Sequence, residues 1–396
     1  MDRILAEKIE QAVGILQELG LDAWLTFVRE TREGGDPVLP LILGQDLTWQ
    51  SALILTRTGE RIAVVGKFDD GAVRSTGVWT EVIPYVKSIK QPLCDVLERI
   101  DPQELAINYS RDDVLADGLA HGLFLLLNQH LADTPYAKRL VSAAEFVGRL
   151  RSRKSASEVE RMRKAINTTL EILAEVPQYA RPGVTEKQIA KTIHDRVDER
   201  GLGYAWAPKQ CPIVNTGPNS MIGHGLPADI AIEPGHILHV DFGVKEDDYC
   251  ADLQRCWYVP KEGETEPPEP VRRALDTVHA AIQAAAKALR PGAMGWQVDE
   301  AARTVVTGAG YDEYRHATGH QVGRSAHDGA AVLAPKWERY GDLPYQLAEI
   351  GNVFTLELGI ENIDDHGYLG LEEMALVTET GCEFLSPPQS TLPLLT

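Results

Sequence analysis

The sequence predicts an α+β protein of two domains, and three observations lead there. Through residue 150, short apolar strands alternate with amphipathic helices, the pattern of a layered α/β unit. From residue 151 onward an internal repeat shows through, with short motifs recurring 109 positions further on. Within that second part, 237–259 and 352–378 each read as two alternating apolar/polar strands joined by a polar turn. A chain of 396 residues has room for about two to three domains.

Taken in order, Ile4–Leu19 carries helical spacing and stops at Gly20. Ala23–Val28 reads as a short buried strand, and Ser51–Thr56 with Arg61–Val65 as a hairpin around Arg57-Thr58-Gly59-Glu60. A helix is expected over Leu93–Ile100, a strand over Leu105–Tyr109 and a helix over Val114–Leu127. No phosphate loop or dinucleotide fingerprint occurs in this part. The boundary falls in 149–166, where a basic, small-residue stretch gives way to Ser157-x-x-Glu160. That pattern reads as a capping box opening a helix to about Val176. The expected domains are therefore 1–150 and 151–396.

In the second domain Arg181-Pro182-Gly183 recurs as Arg290-Pro291-Gly292, Gln188-Ile189 as Gln297-Val298, and Gly201 as Gly310. Each R-P-G closes one helix and precedes another, since Pro and Gly act as stop and turn signals. Each half then reads as helix, helix, hairpin. In the first hairpin Ile237, His239 and Asp241 share a face, and Cys250, Asp252, Gln254 and Cys256 share one on the return strand. A turn centred between Glu246 and Asp247 sets Asp241 opposite Asp252. In the second hairpin a turn between Asp364 and Asp365 sets Glu357 opposite Glu372. Opposed carboxylates lie roughly 5 Å apart and destabilise a sheet when nothing pairs them. One such pair would pass for ordinary solvent-facing side chains. Two pairs related by a pseudo-two-fold put four carboxylates round one point and ask for cations. Strand parity alone does not choose between Glu372 and its neighbour Glu373.

Between the hairpins lies 315-RHATGHQVGRSAHDG-329, with His316, His320 and His327. His224 sits in a turn-rich loop just before the first hairpin. Four carboxylates and an imidazole form a hard, oxygen-dominated ligand set that suits Mn²⁺ and, less selectively, Co²⁺, Fe²⁺ or Zn²⁺. Four negative charges match two divalent ions. Without metal such carboxylates raise one another's pKa and bind protons instead.

These residues resemble the pita-bread metallopeptidases: D-F-G at 241–243, D-x-x-R at 252–255, H-x-T-G-H-x-x-G at 316–323, Glu357, and E-E-x-x-L-V-T at 372–378. The resemblance covers roughly 150–390, and the preceding domain is similar to that of the aminopeptidase P, prolidase and creatinase branch. It implies a pita-bread catalytic domain holding two divalent ions. By it Asp241 chelates one ion, His320 with Glu357 the other, and Asp252 and Glu372 bridge. Glu357 would also be the base, with His224, His316 and His327 lining the substrate side. The implied reaction is hydrolysis of the bond between an N-terminal residue and proline in a small peptide, by an enzyme that is usually a homodimer. A creatinase-like or ectoine-hydrolase-like C–N hydrolase and a catalytically silent binding module are the alternatives. Three positions depart from the pattern. Gly370 replaces an arginine that can hold a substrate carboxylate, Leu358-Gly359 replaces Pro-Gly, and Gln254 replaces a hydroxyl residue.

The formal charge of −19 argues against nucleic acid or an anionic membrane as a main partner, because both demand a basic surface. No apolar run reaches the ~18 residues of a bilayer span. The start, MDRILAEKIEQ, reads as an amphipathic helix rather than a signal peptide. Five scattered cysteines without C-x-x-C spacing suit a reduced, cytoplasmic protein.

Overall fold

The computed structural model describes residues 3–223 and 225–395. The chain divides into two compact units between Arg151 and Ser152. In the first, six strands form one mixed sheet: β1 (Ala23–Val28), β2 (Ser51–Thr56), β3 (Arg61–Gly66), β4 (Glu81–Tyr85), β5 (Leu105–Ile107) and β6 (Leu140–Ser142). Their order is β4-β3-β2-β1-β5-β6. β1 and β2 are buried along their whole length, as strands covered on both faces must be. Trp24, Leu53, Leu55 and Val65 join one apolar cluster with Ile9 and Leu16 of the first helix, Arg3–Leu19. Leu25, Phe27, Ile54 and Val64 join the other with Leu93 and Leu127. The helix expected over 114–127 is broken into a 3₁₀ turn, Val114–Ala116, and a helix, His121–Leu131. Gly118 lies in the break, where a Cβ would come 2.1 Å from the carboxyl of buried Asp36.

The second unit repeats helix, helix and hairpin. Its helices are Ala156–Ala174 and Glu186–Glu199, then Glu269–Ala288 and Gly295–Gly308. The second and fourth are both 14 residues long. Each follows a left-handed glycine of an R-P-G turn, Gly183 or Gly292. The first helix opens two residues earlier than expected, because Ser155 and Glu158 form the capping box. The segment S-A-S-E-V-E offers both frames, and the earlier one wins. Small strands β7 (Gly203–Tyr204), β10 (Val244–Glu246) and β11 (Tyr249–Cys250) form one sheet. The main sheet contains β8 (Ile213–Thr216), β9 (Ile237–Phe242), β12 (Leu253–Tyr258), β15 (Val353–Ile360) and β16 (Leu369–Val377), in the order β15-β16-β12-β9-β8. β17 (Cys382–Phe384) pairs with β16, and β13 (Gly319–His320) pairs with β14 (Val332–Leu333). Leu356, Leu358, Leu371 and Ala375 share a buried cluster with Val271, Val278, Val298 and Val306 of the last two helices. Those helices thus back the strands that carry the carboxylates. Among the described residues no helix is long and apolar enough to cross a membrane.

Candidate metal centre

Three strand registers build the centre. Glu357 of β15 lies opposite Glu372 of β16, as the second hairpin's pattern predicts. Glu372 in turn faces Gln254 of β12, and Gln254 faces Asp241 of β9. Three carboxylates and one amide therefore stand in a row across four adjacent strands. The expected pairing of Asp241 with Asp252 does not occur. The first hairpin turns at Asp247-Asp248, with Glu246 opposite Tyr249 and both aspartates at positive φ (47° and 71°). Aspartate tolerates that conformation, which a two-residue hairpin of this kind requires. A turn displaced by one residue shifts every pair by two, so partners change while faces do not. Asp252 stays on the Asp241 side, just before β12. Glu373 points the other way, into a buried set with Arg255 (2.9 Å) and the Gln389 amide (2.9 Å). The register thereby selects Glu372 for the carboxylate row.

His320 arrives on β13, which lies against β15. Its amide donates to Thr355 Oγ1 (3.0 Å), and the Glu357 amide donates to the Thr318 carbonyl (2.8 Å). Gly319 permits the approach, since a Cβ there would sit 2.0 Å from the Thr355 carbonyl oxygen. His320 Nε2 lies 3.8 Å from Asp252 Oδ2 and 3.7 Å from Glu357 Oε1. Potential ligand atoms of Asp252, His320 and Glu372 all fall within 4.8 Å of one another.

Burial, then mutual repulsion, holds these carboxyls far above their ordinary range. Glu357 is raised to about 8, and Asp252 and Glu372 are raised well above the usual carboxylate values. Burial lifts Asp241 to about 7. Burial and then His327 push His320 down to about 3, leaving a neutral imidazole. Asp241 Oδ1 and Glu372 Oε1 are buried and accept no hydrogen bond. Orphaned carboxylate oxygens beside a neutral imidazole are the donor set that divalent cations satisfy, so these residues fit such ions.

The neighbours of this cluster are ordered by hydrogen bonds that sequence spacing did not reveal. Gln254 Nε2 donates to Glu357 Oε2 (3.0 Å), and Gln254 Oε1 lies 3.0 Å from His239 Nε2. His239 is held neutral by burial, at about 4, and its other nitrogen lies 3.1 Å from Asn215 Oδ1. Asn215 donates to the Met221 carbonyl (2.7 Å), tying the segment around Met221 to this chain of contacts. Buried Glu186 accepts from Thr216 N, Ser220 Oγ and Ala228 N at 2.6 to 3.0 Å. The expected site residue His224 lies outside the described residues. His316 is presented by a loop whose carbonyl accepts from Arg303 (2.9 Å), and Arg303 is held in turn by Asp299 at 2.8 Å. The ring of His327 stands 4.2 Å from that of His320, edge to face. Parity placed His239 on the Asp241 face. Nothing in the spacing pointed to Glu186, Asn215 or Arg303. A cleft of about 120 Å³ opens beside the cluster, lined by Asn215, Asp241, Tyr314, His316, Glu357 and Tyr368 among others.

An antiparallel sheet carrying a carboxylate row, with a histidine brought in from a flanking strand, is the arrangement of a metal-dependent hydrolase. The model for metallopeptidase family M24 matches residues 160–379, and the chain belongs to that family. It is an enzyme of the peptidase class, with the pita-bread fold preceded by an α/β unit, and its family implies divalent metal ions. The chain is 27% identical to the probable dipeptidase PepE of Mycobacterium tuberculosis over 333 residues, 84% of this chain and 82% of that one. Among solved structures it is similar to an Xaa-Pro dipeptidase from Bacillus anthracis, with a TM-score of 0.75, 21% identity, and 99% and 100% of the two chains covered. It is also similar to an X-Pro aminopeptidase from Thermotoga maritima, with a TM-score of 0.70, 23% identity, and 98% and 99% covered.

Proposed function

We propose that the protein hydrolyses the bond between an N-terminal residue and proline in small peptides, using two divalent ions, of which Mn²⁺ suits the ligands best. The observation that carries this reading is the convergence of Asp241, Asp252, His320, Glu357 and Glu372 from four strands and the segment just before one of them. Asp241 would hold one ion, His320 and Glu357 the other, with Asp252 and Glu372 shared. Bound ions would supply the charge that polarises the scissile carbonyl and acidifies a water near neutral pH.

The chain's own residues do the rest. Glu357 takes the proton of the attacking water and passes it toward the departing proline nitrogen. Its orientation is set by Gln254, which occupies Oε2 and leaves Oε1 toward His320. His316 and His327 would donate to the developing oxyanion, with Arg303 fixing the His316 loop. A dedicated pocket suits proline, which has no N–H for a strand-like substrate grip.

The test is turnover by chelator-stripped protein, with Mn²⁺ added back, of an Xaa-Pro dipeptide, an Xaa-Pro-Xaa tripeptide and an N-acyl diamino acid. Metal-dependent cleavage of either proline peptide supports the reading. Cleavage of the N-acyl diamino acid alone moves the protein to the C–N hydrolases, and no metal response on any of the three contradicts it.

A further inference from the structure

The cleft beside Glu357 has a one-sided charge. Asp241, Glu357 and Glu361 line it, and among the described lining residues there is no lysine or arginine. Asp241 and Glu357 belong to the ion-binding cluster, where bound cations would balance them. Glu361 is left over. It is a half-buried carboxylate four residues past Glu357, with no hydrogen bond or ion pair to a described residue.

The strands beneath it are shaped so that the chain supplies no positive charge there. Gly359 and Gly370 face each other across β15 and β16. The Tyr368 ring fills the space above them: a Cβ on Gly359 would sit 2.0 Å from its hydroxyl. A Cβ on Gly370 would meet that ring at 2.6 Å and Gln254 Oε1 at 2.7 Å. With glycine at this point of β16, no side chain reaches from it into the cleft to hold an anion.

We propose that the cleft receives a cationic nitrogen of the substrate, with Glu361 as its counter-ion, and disfavours a free carboxylate. The inference rests on the reading that peptides are cleaved at the adjoining carboxylate cluster. An N⁺–H···O⁻ contact in a partly buried site is among the stronger polar interactions, and a substrate carboxylate there would face Glu361 across a small cleft. The nitrogen is either the α-ammonium or the side-chain nitrogen of a basic first residue.

Four probes that contain no scissile peptide bond separate these sources by calorimetry in the presence of Mn²⁺: lysinol, norleucinol, and the α-N-acetyl form of each. Norleucine beside norleucinol reports the effect of adding a carboxylate. At least one charged nitrogen is expected to tighten binding to the wild-type protein about tenfold, with norleucine weaker than norleucinol. The tightening should disappear in Glu361→Gln and partly return in Glu361→Asp. A contrast that follows acetylation assigns the α-ammonium, and one that follows lysine against norleucine assigns the side chain. Equal binding of charged and uncharged probes by the wild type overturns the proposal, as does a contrast that survives in Glu361→Gln. The wild-type contrast needs no variant to fold, and thermal melts establish that each variant compared is folded. Failure of the wild type to cleave any Xaa-Pro peptide would remove the peptidase reading, while the binding contrast would still decide the fate of Glu361.

Discussion

Gln254 stands between Asp241 and Glu372 in the cross-strand row and donates to Glu357 on the next strand but one. An amide can donate from nitrogen and accept at oxygen at once, so it joins a carboxylate on one side to a neutral imidazole on the other. Groups that orient metal ligands from behind are typically worth about 10- to 100-fold in affinity. Gln254→Met, which keeps the volume and removes both contacts, is expected to weaken Mn²⁺ binding by roughly that factor. Titration calorimetry checks it, together with the d–d spectrum of the Co²⁺-loaded protein. Unchanged affinity and an unchanged spectrum would show Gln254 to be filler. The five proposed ligand positions come from residue type, spacing and family likeness together. The supporting contacts were not legible in the sequence, because Asn215, Glu186 and Arg303 gain their meaning only from partners brought close by folding.

At the scale of elements, the faces of the hairpins were readable and their exact partners only partly so. Period-two alternation fixes a face whatever the turn, which is why Asp241, Asp252, Glu357 and Glu372 all ended on the inner side. The partner depends on which two residues turn, and the run Glu246-Asp247-Asp248 allows more than one choice. The same ambiguity misplaced the capping box at Ser157. Glycines set the tightest limits. A Cβ on Gly243 would meet the Ala251 carbonyl oxygen at 1.8 Å, a backbone clash that no rotamer relieves. Gly243→Ala is therefore expected to destabilise the unit by more than Gly370→Ala. For Gly370→Ala, whose obstacles are side chains, about 1–3 kcal/mol is expected. Chemical denaturation of the two variants ranks them, and the reverse order would contradict this packing account.

For the whole molecule, the repeat matters because it brings carboxylates from distant points of the chain to one place. Each half contributes two carboxylates, so the cluster forms only when both halves have folded. Its cost without ions should appear as a pH dependence. The unfolded carboxyls titrate near 4, whereas Asp241 is raised to about 7 and Glu357 to about 8. Between those limits the folded apoprotein binds more protons than the unfolded chain, so its stability falls as pH rises through that window. Divalent ions replace the protons, and the gain in Tm on adding Mn²⁺ should be larger near pH 8 than near pH 5. Thermal melts of stripped and loaded protein at the two values measure this. A gain that is larger at the acidic value would contradict it.

Five side chains are proposed to share a pair of ions, and anomalous diffraction from Mn²⁺-soaked crystals would locate those ions. Two anomalous peaks are expected, enclosed by Asp241, Asp252, His320, Glu357 and Glu372, and at least one should be lost in Glu372→Gln. Saturating Mn²⁺ with no peak inside that ring, or with peaks only elsewhere on the protein, would contradict the account.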